Sequence, residues 1–143
     1  MPSTVESELR TRAFARVLGP FLVLVPGIII VRAPDIEALL HSFFHNEVIV
    51  WFVGAFLLLC GLLIIAFHQY WSNAAAIIIS LFGWFLARRG LLLLTAPQMI
   101  ARGAAYSALK LLPAVRAGFS ILVLAGIWLT YVGWFVKPPD SDS

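Results

Sequence analysis

Hydrophobic residues run through this chain in four long blocks, with two short amphipathic stretches between them. Val48 to Phe67 and Ala117 to Val136 carry no charge at all. A bilayer core about 30 Å thick is crossed by about 20 mostly apolar residues in a helix. Backbone polar groups at that depth must be satisfied within the segment itself. Both blocks therefore predict membrane-spanning helices. A third block, residues 14–31, is apolar apart from Arg16, which lies near its start and is placed to snorkel toward the interface. Pro20 and Pro26 fall inside it, and because proline removes a helical hydrogen bond, a kink is expected near Pro26. No small-x-small cleavage motif follows Val31, so this block reads as a retained anchor. The remaining block, residues 71–94, is interrupted by Arg88 and Arg89. Either the helix stops at the arginines or it carries them inward. An arginine at mid-bilayer costs about 3 kcal/mol on insertion scales, and no acid lies within any block to offset it. Both are accordingly expected at head-group level.

The stretch from Pro34 to Glu47 has helical periodicity. Ile36, Leu39, Leu40, Phe43 and Phe44 fall on one face, and Asp35, Glu37, His41, Ser42 and His45 on the other. This predicts a short helix lying flat at the interface. Residues 98–112 form a weaker second case, with Arg102, Tyr106 and Lys110 on one stripe aimed at lipid head groups. Short connections make the four spans an up-down-up-down bundle with both ends of the chain on one side. The expected organisation is a polar tail over residues 1–12, a membrane domain over 13–136 with spans at about 14–31, 48–67, 71–94 and 117–136, and a polar tail over 137–143. Arg10, Arg12, Arg16 and Lys137 on one side oppose Arg32, Arg88, Arg89, Arg102, Lys110 and Arg116 on the other, which leaves the orientation open under the positive-inside rule. The two halves show no repeat, which gives an inverted-repeat transporter little support.

Composition closes the other routes. The chain is 143 residues long, 62% hydrophobic and only 12% charged, with a mean hydropathy of +0.97. Soluble domains are nearer half apolar and a quarter charged, and one this small could not hide so much apolar surface. Disorder demands the opposite composition. The single cysteine, Cys60, excludes a disulfide framework. The net charge of +3 is carried by ten Lys and Arg spread along the sequence. Nucleic-acid binders cluster such residues on one face, so the basic balance points to anionic lipid head groups instead.

The candidate chemistry is sparse. Glu37, His41 and His45 recur every fourth residue, stack along one helical face and are metal-ligand types. The plainer alternative is a wet face of an interfacial helix. His68 and His45 flank opposite ends of one span, roughly 30 Å apart at helical rise, so they cannot share a haem, although His68 alone remains open as a single axial ligand to a haem or pigment. Tyr70 and Trp71 read as interface anchors. Cys60 sits among leucines and behaves as a small apolar residue. Proton-coupled pumps and small multidrug exporters keep an acid at depth, and no span has one; fluoride channels need polar pore-lining residues, which are equally scarce here. No Ser-His-Asp set, HExxH or glycine-rich phosphate loop occurs, so neither an enzyme nor a cofactor is expected. Glycines recur about two turns apart, at Gly54 and Gly61, and at Gly118, Gly126 and Gly133. With Gly83 and its neighbour Ala87, one turn on, they mark close helix packing, within the bundle or against a partner.

His45-Asn46, Trp51, Gly54, Gly61-Leu62, His68, Trp71, Gly83-Trp84, Arg89-Gly90 and Pro97 together resemble a family of small four-span bacterial inner-membrane proteins. The likeness covers roughly residues 16–100. It implies a bacterial inner membrane and no catalytic activity. The expected function is a non-enzymatic scaffold or accessory subunit of a larger membrane complex, its partners lipids, other membrane proteins or itself. The alternatives are an oligomeric passage for ions or small molecules, and a metal- or pigment-binding membrane module.

Overall fold

The computed structural model describes residues 4–68, 71 and 73–136. They are nearly all helical, with six α-helices and no strand among them. These are α1 (Thr4–Val31), α2 (Ile36–His45), α3 (Glu47–Phe67), α4 (Ala74–Thr95), α5 (Pro97–Lys110) and α6 (Leu112–Trp134), with a 3₁₀ turn at Ala33–Asp35. α1, α3, α4 and α6 are each long and apolar enough to cross a membrane. α2 and α5 are the two short amphipathic elements. The expected polar tail at 137–143 and the anchor Tyr70 lie outside the described residues.

Local signals set the boundaries. Asn46 caps α3 by accepting from the Ile49 backbone N–H at 3.2 Å. Asn73 caps α4 by accepting from the Ala76 N–H at 2.8 Å. Each replaces a bond that the first turn cannot make internally. Pro97 and Pro113 sit in the first turns of α5 and α6, where the missing N–H is no loss. α1 runs unbroken through Pro20 and Pro26 and begins at Thr4. The stretch expected to be a tail is helical from that point, and buried Thr11 extends back into it the stripe of Ala15, Gly19, Leu22 and Pro26 at three- and four-residue steps.

The long helices pack as two antiparallel pairs, α1 with α6 and α3 with α4, joined through α1 and α4. Both pairs approach along seams of small residues. A Cβ on Gly90 would lie 2.6 Å from the Gly54 carbonyl oxygen and 2.8 Å from Leu58 Cα; one on Gly61 would lie 2.7 Å from Ala87 Cα. On the other pair, a Cβ on Gly19 would lie 2.6 Å from the Thr130 nitrogen, and one on Gly126 would lie 2.8 Å from the Val23 nitrogen. Lipid gives helices no hydrophobic reason to associate, so close backbone approach supplies the attraction instead. The shared core joins Ala15 and Leu22 of α1, Ile64 of α3, Ala75 and Ile79 of α4 and Leu129 of α6. Large apolar side chains otherwise point outward, among them Val48, Trp51, Phe52, Phe56, Phe85 and Leu124. So much exposed apolar surface is not sustained in water.

Candidate functional site

Three polar features interrupt this apolar body. The first is a groove of about 330 Å³ between α2 and α5, lined by Glu37, Leu40, His41, Phe44, His45 and Ala101 with Ala105. α2 turns its apolar face inward, leaving Phe43 and Phe44 half-buried, while Glu37, His41 and His45 stay exposed. The two imidazoles stack at 6.0 Å between centroids with an interplanar angle of 10°. Among the described residues no three His, Cys, Asp or Glu side chains come together in a way that could hold a metal ion. The metal reading of Glu37, His41 and His45 therefore lacks a third converging ligand, since a straight helix spreads them along two turns. On α5, Arg102, Tyr106 and Lys110 are exposed, with the Lys110 ammonium 5.7 Å from the centre of the Tyr106 ring.

The second feature is the Arg88–Arg89 pair. α4 does not stop there but continues to Thr95. The packing register fixes the level of the arginines, because Ala87 lies against Gly61 and Gly90 lies against Leu58 and Gly54. Both guanidinium-bearing residues thus stand level with the middle of α3. At helical rise they lie about 10 Å inside the end of α4 and about 20 Å from its start. The glycine seam runs on past Arg88 and Arg89 and keeps the helix intact. Arg88 is exposed and Arg89 half-buried. Neither makes a hydrogen bond or ion pair with any described residue. The acids of the described chain sit at helix ends and connections, at Glu6, Glu8, Asp35, Glu37 and Glu47. Helical side chains leave the backbone tilted toward the helix start, so these two begin by pointing away from the nearer end of α4.

The third feature is His68, which caps α3 and is fully buried. Its Nε2 lies 3.0 Å from Thr11 Oγ1, across 57 residues of sequence. Ser80 donates to the His68 carbonyl at 3.2 Å, and Phe14 meets the ring edge-on at 5.2 Å. Burial holds the imidazole below its ordinary pKa of 6.5, partly countered by a backbone hydrogen bond. A neutral ring wedged between two helices and a hydroxyl is a joint, and it leaves little room for a haem or pigment at this position. Nearby, Arg16 Nε donates to the Gly133 carbonyl at 2.8 Å and its guanidinium sits 5.8 Å from the Trp134 ring, which satisfies the open end of α6. Neither Thr11 nor the Arg16–Gly133 bond was signalled locally; the stepped stripe that continues back to Thr11 is the only trace of the former.

The remaining candidates fall where packing uses them. Gly54, Gly61, Gly83, Gly126 and Gly133 are all buried on the seams. Gly118 is exposed, with nothing within 4 Å of an added Cβ. Cys60 is half-buried and free. No family model, curated protein or solved structure matches this chain.

Proposed function

We propose that this chain is a four-span bundle of a bacterial inner membrane and serves there as a non-enzymatic accessory or scaffold subunit of a larger membrane complex. The observation that carries the reading is the Arg88–Arg89 pair, Arg88 exposed and Arg89 half-buried, within a candidate span and with no acid among the described residues at that level. An arginine facing lipid at the centre of a span costs about 3 kcal/mol on insertion scales. A carboxylate on a neighbouring membrane helix removes that cost. A second copy offers no acid at that level among its described residues, so the neighbour is a different protein. The inner-membrane assignment rests on the resemblance through His45-Asn46, Gly61-Leu62 and Gly83-Trp84 alone.

Native mass spectrometry of the protein extracted from its own membrane in mild detergent tests this. The expected result is a hetero-assembly that dissociates in the Arg88→Leu/Arg89→Leu double variant, while the isolated variant stays folded and melts no lower than the parent. Extraction as a monomer or homo-oligomer overturns the reading.

A further inference from the structure

At the end of the bundle that holds the start of α1 and the end of α6, a cleft of about 300 Å³ opens between α1, α6 and the first turn of α4. One wall is apolar, made by Trp128, Val132 and Val136. The other carries Glu8, Thr11 and Arg12, with Asn73 at the base. By volume it has room for about ten waters. It lies where the apolar blocks give way to polar sequence, at head-group level if the four helices are spans. A wet cleft with one oily wall fits an amphiphile better than it fits water.

The polar wall holds one more clue. Arg12 Nε is buried and has no hydrogen-bond partner. Glu8, one turn away, lines the same cleft, yet the two do not pair; the ion pair nearby joins Arg10 to Glu6 at 2.7 Å. A buried donor left open marks a place where an acceptor belongs. We propose that the cleft binds one phospholipid with a primary-amine, zwitterionic head group. Arg12 takes the phosphate, the group its planar fork matches. Glu8 accepts from the ammonium, and an acyl chain lies along Val132 and Trp128, a residue type favoured at membrane interfaces. An anionic head group without an amine meets repulsion from Glu8, and a choline head group has no N–H to give it. The inference rests on the spanning reading but not on any protein partner.

The test is native mass spectrometry of delipidated protein in mild detergent, titrated separately with dioleoyl phosphatidylethanolamine, phosphatidylglycerol and phosphatidylcholine. One phosphatidylethanolamine is expected to remain bound per chain, preferred over the other two by about tenfold, the scale of one charge-assisted hydrogen bond. Arg12→Gln should lower retention of that lipid about tenfold, a similar loss. Glu8→Gln should abolish the preference while still retaining phosphatidylglycerol. Arg12→Lys keeps the charge without the fork and should retain the preference at weaker binding, and it serves if the glutamine variant fails to fold. Equal retention of the three lipids, no retention, or a preference that survives both Arg12→Gln and Glu8→Gln overturns the proposal. These readings concern small mass additions to the single chain, so they are separable from the presence or absence of a hetero-assembly.

Discussion

His68 shows how one buried residue ties three helices together at one end of the bundle. It is fully buried, touches Thr11 of α1 and accepts from Ser80 of α4 through its carbonyl. Burial favours the neutral ring, so its folded pKa is below the ordinary 6.5. The unfolded chain therefore takes up the proton first as pH falls. Stability is full above pH 6.5 and declines as pH drops below it toward the lowered folded value. Thermal unfolding in detergent between pH 8 and pH 5, in buffers spanning that ordinary value, should show this decline. Thr11→Val, which leaves the buried ring facing a methyl group, should lower the melting temperature at neutral pH, at a cost of about 1–3 kcal/mol. His68→Gln should flatten the dependence below pH 6.5; an unchanged slope would mean that another group titrates.

Among the elements, the small-residue seams make the sharpest prediction. Gly90→Val places atoms against the backbone of Leu58 and Gly54, which cannot rotate away. Overpacking of this kind costs about 1–3 kcal/mol, so the α3–α4 pair should loosen and the protein melt earlier. Gly118→Ala meets nothing within 4 Å and should be neutral or slightly stabilising, because alanine favours helix over glycine. Reversal of that ranking in thermal melts would sink the seam argument. Much at this scale was legible beforehand. Charge-free runs located α3 and most of α6, and the period of Ile36, Leu40, Phe43 and Phe44 located α2. The start of α1 was not, because Glu6, Glu8, Arg10 and Arg12 read as a solvated tail until their packing partners are known. The register of Arg88 and Arg89 against α3 was not either, since a window over one helix does not contain the partner that holds it through Gly61 and Gly54. Of the polar sites, the α2 stripe was visible locally, whereas the cleft around Arg12 joins residues from three elements that no local window contains.

For the whole molecule, the antiparallel pairing brings the start of α1 and the end of α6 to one end of the bundle, with α2 and α5 touching at the other. Single cysteines in a Cys60→Ser background should therefore label in two groups with a membrane-impermeant maleimide. Positions 41 and 106 should react from one side of sealed vesicles and positions 10 and 73 from the opposite side. Labelling of positions 10 and 41 from one side would refute the four-span topology. The pairing also sets an order of events during synthesis. α3 and α4 are neighbours in sequence and can close on each other once about 95 residues have emerged. α1 is made before both, yet α6, the helix that covers Gly19, is made after them. Long-range contacts of this kind are slow to form, and at 5–20 residues per second α6 trails α1 by several seconds. Throughout that interval α1 waits with the face that receives α6 open, so the growing chain is exposed there to capture by the wrong neighbour.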